Sequence, residues 1–178
     1  MIIERKHCTI ELNGKYAIKT YKNKDDIRAL NDKWLSCYKL LQEQCPNITK
    51  VYEVNGREQS IVMENLGVIE TGYKKFSKGS ITKDFIINTI ITVNNCWSKM
   101  LKFSQTLPFK NKYFIHCDYT LSNIVYTADQ TIKIIDPDSF CFINDISTKG
   151  DRQQAKKYIE TMTFLHKLSV HPQNLEYR

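Results

Sequence analysis

Asp118, Asn123 and Asp136 are the residues whose types and spacing could act together chemically. They lie in Ile115-His116-Cys117-Asp118-Tyr119-Thr120-Leu121-Ser122-Asn123-Ile124-Val125 and in Ile132-Lys133-Ile134-Ile135-Asp136-Pro137-Asp138. The pattern is H-x-D-x-x-x-x-N, then an apolar strand, a turn from Thr127 to Gln130, a second apolar strand and an Asp. Phosphoryl transfer needs a carboxylate beside the attacking hydroxyl and hard oxygen ligands for the metal on the triphosphate. Asp118 is placed for the first task. Asn123 and Asp136 are placed for the second, because a hairpin sets them side by side. Asp138 adds a carboxylate on the same side of an extended chain, where it would share the metal or else cap the turn after Pro137. The alternative for the whole stretch is an ordinary polar loop and hairpin.

Other elements must position these groups. Thr9 to Leu12, Asn13-Gly14 and Lys15 to Tyr21 read as a hairpin with an Asn-Gly turn. Its second strand alternates, with Tyr16 and Ile18 on one face and Ala17 and Lys19 on the other. Asp25 and Asp26 are expected to open a helix carrying Ile27, Leu30, Trp34, Tyr38 and Leu41 at helical spacing, ended by Pro46. Lys50 to Val54 and Gln59 to Met63 read as a second strand pair, turned at Asn55-Gly56. Glu64-Asn65-Leu66-Gly67 reads as a connector, and about Thr82 to Thr106 as a long helix. After Asp138 a polar loop and a last helix, roughly Asp151 to Leu168, are expected.

From these motifs and this order the chain resembles the protein-kinase-like superfamily, in which a catalytic loop and a DFG-type Asp stand at about this separation. The resemblance implies an α+β, minimal bilobal protein-kinase-like fold, with a small antiparallel-sheet lobe (1–63) and a reduced helical large lobe (64–178) in a single domain. Tyr16-Ala17-Ile18-Lys19 is similar to the V-A-I-K strand whose lysine holds nucleotide phosphates; the alternative for Lys19 is a surface lysine on a strand edge. Met63-Glu64-Asn65-Leu66 resembles the hinge, so backbone groups at Glu64 and Leu66 would meet adenine. The resemblance further implies ATP and Mg²⁺, with Asp118 and Asn123 catalytic and Asn123, Asp136 and Asp138 at the metal. His116 is assigned to bracing the loop. Thr120, Ser122 and Asn123, with Lys149-Gly150 and His171-Pro172, are similar to features of the KEOPS-complex kinase and more distantly of the RIO kinases.

Several features depart from the superfamily pattern. Gly14 is the only glycine before Lys19, so no G-x-G-x-x-G loop precedes it. The acidic partner of Lys19 stays open, since Asp32 and Glu43 lie opposite the apolar stripe and Asp26 is very early. Pro137 replaces the aromatic of D-F-G and fixes φ. No A-P-E follows, which argues against a phosphorylation-controlled activation segment. No lysine stands two residues after Asp118.

At 178 residues, 42% hydrophobic with 10 Tyr and 8 Phe, the chain reads as globular. Its six scattered cysteines are expected to be unpaired, each a small buried hydrophobe, which with no secretory opening suggests a reducing, cytoplasmic setting. No apolar run is long enough to span a membrane. The net charge of +7 is dispersed. It reads by default as a solvated surface, with attraction to an anionic partner such as RNA or a nucleotide as the alternative.

Three functions stay open: an atypical protein serine/threonine kinase, a small-molecule kinase of the aminoglycoside or choline type, and a partner-dependent ATPase or pseudokinase module. Keeping Lys19, Asp118, Asn123 and Asp136 together argues against a dead scaffold. The missing glycine loop points to slow turnover and to an activating protein partner.

Overall fold

The computed structural model of the protein describes residues 1–23, 30–67, 69–77, 81–108, 112–144 and 149–170. Strands β1 (Ile2–Glu4), β2 (Cys8–Asn13) and β3 (Tyr16–Tyr21) form an antiparallel meander. The β2–β3 link closes through Gly14 and Lys15, and Gly14 takes φ +53, a conformation that glycine adopts without a Cβ clash. β4 (Val51–Asn55) and β5 (Ser60–Glu64) complete a five-stranded sheet in the order β1-β2-β3-β5-β4. The alternation expected along β3 holds: Ala17, Lys19 and Tyr21 are buried, whereas Tyr16 and Thr20 face solvent.

Helix α1 (Asp32–Gln44) joins β3 to β4. Asn31 caps it, its side chain accepting from the Trp34 amide at 3.0 Å. The described helix therefore starts later than the acidic pair suggested; Asp25, Asp26 and Ile27 lie outside the described residues. Trp34 and Tyr38 stack at 4.8 Å, and Tyr38 meets Phe140 edge-on at 5.0 Å. The Trp34 indole donates to the Phe140 carbonyl at 2.8 Å, so α1 is tied to a residue 106 positions away. Truncating Trp34 to Ala would cost about 3–5 kcal/mol.

After the connector come β6 (Ile69–Thr71) and α2 (Gly72–Ser77), neither expected from sequence. Helix α3 (Lys83–Thr106) is the long helix, capped by Thr82 onto the Phe85 amide at 3.2 Å. β7 (Tyr113–His116), β8 (Ile124–Thr127) and β9 (Ile132–Ile134) follow, with β8 and β9 antiparallel and β6 on the outer edge of β8. The polar loop expected after Asp138 is corrected here. Pro137–Ser139 is a short 3-10 turn, and Phe140–Ile143 is strand β10, paired with β7 because Phe140 and Ile143 have a core to enter. Helix α4 (Lys149–Val170) is the last element among the described residues. Among the described residues no helix is long and apolar enough to cross a membrane.

The five-stranded sheet is tied to the β8–β9 hairpin by main chain. Thr49 donates to the Ile134 carbonyl at 2.9 Å, and Ile134 donates to that of Asn47 at 2.7 Å. This seam sets β3 over Asp136.

Candidate active site

His116, fully buried at the end of β7, sits under the loop that carries Asp118. The Asp118 amide donates to its Nδ1 at 3.2 Å, which leaves Nε2 to donate to the Ile135 carbonyl at 2.9 Å. Burial drives the imidazole below its ordinary 6.5 despite that bond, so it is a neutral brace between the loop and β9. The bracing role expected for His116 fits this geometry.

Asn123 closes the loop. Its Nδ2 donates to the Asp118 carbonyl at 2.8 Å and to Asp118 Oδ2 at 2.9 Å. With the amide nitrogen so engaged, the Asn123 side-chain oxygen stays outside that contact. The Ile135 amide donates to the Asn123 main-chain oxygen at 2.9 Å, which brings Asn123 beside Asp136 as the hairpin required.

Asp136 does not continue the strand. It takes φ +67, a left-handed conformation open to Asp at modest cost, and Pro137 then starts the 3-10 turn at a position that needs no N–H. The extended Asp136–Asp138 geometry expected from sequence is thus replaced by a tight turn. Both carboxylates nonetheless meet at one cation, Lys19 Nζ, which lies 2.6 Å from Asp136 Oδ1 and 2.7 and 2.9 Å from the two oxygens of Asp138. The partner left open for Lys19 is therefore this pair, 117 and 119 residues away, and not an acid of α1.

Two carboxylates share one ammonium in a poorly solvated place. Burial pulls Lys19 down, but Asp138 and Asp136 outweigh it and hold the ammonium above 10.5. Burial works against the Asp136 carboxylate, but Lys19 and the Ser139 hydroxyl, at 2.8 Å, hold it below 3.8. Asp138 is pushed above 3.8 by burial and by Asp136 next to it. One negative charge is left over.

That surplus bears on whether the loop suits a metal. Among the described residues no three His, Cys, Asp or Glu side chains form a metal cluster. Mg²⁺ asks for less, one or two carboxylates beside substrate phosphates, and prefers hard oxygen donors. Asp136, Asp138 and the Asn123 side-chain oxygen fit that requirement by donor type.

The connector is less open than a hinge reading supposes. The Glu64 amide donates to the Lys50 carbonyl at 2.8 Å, and its carboxylate takes the Lys50 amide at 2.7 Å and Lys133 at 2.9 Å. Asn65 is spent on Lys15, Gly14 and Gly67. The half-buried Leu66 takes part in none of these bonds.

Sequence reasoning missed two groups of residues here. Cys117 and Cys141 form a disulfide between the Asp118 loop and β10, correcting the expectation that all six cysteines are unpaired; Cys8, Cys37, Cys45 and Cys96 are free and buried as expected. The pair became possible because β7 and β10 bring the two residues together, which their spacing alone does not signal. From α4, Lys157 ion-pairs with Asp118 Oδ1, and Thr161, one turn on, donates to the Tyr119 carbonyl at 2.9 Å. Tyr158 stacks on Trp97 of α3 at 4.2 Å and 7°. At the loop's other side Gly72 is required: a Cβ there would lie 2.9 Å from the Leu121 carbonyl oxygen.

No family model matches this chain, and no curated protein matches it in sequence. Among solved structures it is similar to the kinase PK-1 of Cydia pomonella granulovirus, with a TM-score of 0.55 and 17% identity over 79% of this chain and 50% of that one. It is also similar to a choline/ethanolamine kinase family protein from Mesorhizobium loti, with a TM-score of 0.48 and 9% identity over 96% of this chain and 68% of that one. The chain therefore spans half the length of the granulovirus kinase. Sheet order, the helix and hairpin succession and the likeness to PK-1 agree: this chain has a protein-kinase-like fold of the α+β class, with a small antiparallel-sheet lobe and a reduced helical one.

Proposed function

We propose that the chain is an atypical ATP- and Mg²⁺-dependent phosphotransferase whose acceptor is a serine or threonine hydroxyl, on another protein or on itself. The observation that supports this most is the convergence of Lys19 with Asp136 and Asp138 across 117 and 119 residues, beside a loop that holds Asp118 and Asn123 together. A structural ion pair has no need of a second carboxylate, and one ammonium leaves it unbalanced.

In this reading Lys19 gives up a carboxylate to meet the phosphates of ATP, as a compact cation on a rigid strand suits a polyanion. Bound Mg²⁺, held by Asp136, Asp138 and the Asn123 side-chain oxygen, would neutralise charge on those phosphates. Asp118 orients the acceptor hydroxyl and takes its proton on Oδ1, since Oδ2 is held by Asn123 and Oδ1 carries only the half-exposed Lys157, which the hydroxyl would displace. His116 stays neutral and fixes the loop. Of the connector, the Leu66 backbone is left to face the base. No glycine-rich loop covers the phosphates, so a partner protein is expected to complete the site and basal turnover to be low.

Incubation of the purified chain with labelled ATP and Mg²⁺, with and without cell extract, tests the reading. Label is expected on protein, weakly for the isolated chain and more strongly with extract. ATP left unconsumed in both arms refutes it, and full activity of a dilute monomer refutes the partner requirement. A second reading, a small-molecule acceptor, is favoured by a cavity of about 200 Å³ lined by Thr120, Ser122 and Lys157. It predicts label on a small molecule instead.

A further inference from the structure

We infer that Lys157 is a catalytic residue: the cation that meets the transferred phosphoryl group, supplied by α4 because the loop itself carries none. The inference rests on the phosphotransferase reading above and adds to it a residue remote in sequence from every motif.

Three observations carry it. First, Lys157 Nζ pairs with Asp118 Oδ1, the one carboxylate oxygen that Asn123 does not hold. Second, the pair is not a chance meeting of two mobile side chains. Thr161, one turn further on the same face of α4, bonds the Tyr119 carbonyl, and Tyr158 is stacked on Trp97 with its hydroxyl donating to Asn94 at 2.7 Å. These contacts clamp the helix to the loop and to α3, and so aim Lys157. Third, Lys157 also lines a cavity of about 200 Å³ together with Thr120 and Ser122, residues of the same loop that carries Asp118. About half of its side chain is exposed (48%), so the ammonium remains free to change partners as ligands enter.

The chemistry follows from the position. As the acceptor hydroxyl reaches Asp118 Oδ1 it displaces the ammonium, and Lys157 turns to an oxygen of the phosphoryl group. The acceptor oxygen forms a bond to the γ-phosphorus, the bond from that phosphorus to the β–γ bridging oxygen breaks, and the electron pair leaves with the nucleoside diphosphate. Asp118 receives the hydroxyl proton, and Lys157 keeps its own while facing the charge on the transferred group. A preorganised charge of this kind acts on kcat and not on nucleotide affinity.

The test uses the full chain with labelled ATP and Mg²⁺, following label on the chain itself, on dephosphorylated casein and as free phosphate. Lys157→Met should lower kcat by about 10²–10³-fold while leaving KM for ATP unchanged. Lys157→Arg should recover part of the loss, because the charge is kept with a different geometry. Lys156→Met, which alters an exposed neighbour paired with Glu160, should behave as wild type. Should Lys157→Met melt early, the Lys157→Arg and Lys157→Gln pair decides, since Gln keeps a polar end without the charge. Turnover by Lys157→Gln equal to wild type, an equal loss in Lys156→Met, or a loss confined to KM for ATP overturns the assignment. A wild-type chain that transfers nothing, even with extract, overturns the phosphotransferase reading itself.

Discussion

The two acidic stations of the candidate site are built on opposite principles. Asp118 is half-exposed and held by neutral or one-to-one contacts: an amide on one oxygen, an ammonium on the other and a neutral imidazole beneath its backbone. Asp136 and Asp138 are less exposed, two charges against one ammonium, and burial and Asp136 raise Asp138 above its ordinary value. The first arrangement fixes a direction and leaves the charge nearly balanced. The second leaves negative charge in excess. A group that must accept a proton from a well-placed hydroxyl gains from the former, and a group that must draw in a divalent cation gains from the latter.

The sharpest way to break the comparison is to remove one station at a time. Asp118→Ala and Asp136→Ala should each lower phosphoryl transfer by about 10²–10⁴-fold. Only Asp136→Ala should also weaken Mg²⁺-dependent nucleotide binding, because only it touches the surplus charge. Titration of both variants with Mg²⁺–ATP checks this. A parallel loss of affinity in Asp118→Ala would erase the distinction between the stations.

Removing the shared cation comes next in size. Lys19→Met leaves two poorly solvated carboxylates unpaired, which should cost about 3–5 kcal/mol of stability. If the surplus charge is a cation site, Mg²⁺ without nucleotide should raise the melting temperature of Lys19→Met more than that of the wild type. An equal response of the two proteins would show that the acidic pair merely serves Lys19.

The Asp118 station also has a covalent support with no counterpart at the Asp136–Asp138 pair. Under denaturing, non-reducing conditions four of the six cysteines, Cys8, Cys37, Cys45 and Cys96, should react with a thiol reagent. Cys141→Ser should lower stability by about 2–4 kcal/mol. A count of six reactive thiols in freshly prepared protein would remove the bond, and with it that asymmetry.

The same contrast decides what could be read from residue order. Ile115 to Asp138 was legible because a hairpin is local: apolar runs on both sides of a turn bring Asn123 to Asp136 with no help from elsewhere. Lys19 was placed through its strand, yet its partners could not be, since the contact depends on how two lobes dock along Thr49 and Ile134. Lys157 carried no signal at all, because only the packing of Tyr158 and Thr161 points it at Asp118. The disulfide required the β7–β10 pairing. That strand did leave a trace in Phe140, Phe142 and Ile143, a short apolar run that a polar loop does not explain. Of the small elements, β6 and α2 are too short to show a period.

The smallest effect expected is on pH, and it separates the stations by sign. His116 lies below 6.5 in the fold, so the neutral form favours the folded state. Its contribution to stability is fully present above pH 6.5 and is lost as pH falls toward its folded value. The loss should not exceed about 1.4 kcal/mol per pH unit for this one proton. Asp138 runs the other way. Its folded value lies above 3.8, so protonation on acidification relieves the crowded pair and favours folding. That same protonation removes the charge a cation needs, so Mg²⁺ affinity should fall at a pH higher than an ordinary carboxylate would require. Thermal melts from pH 7.5 to 5 should therefore decline through His116, with a flatter profile in His116→Asn. Mg²⁺ titrations at the acidic end should weaken in the wild type but change little in Asp138→Asn. A wild-type Mg²⁺ affinity constant down to pH 4 would place no titrating carboxylate at the cation, and the two stations would then differ in geometry alone.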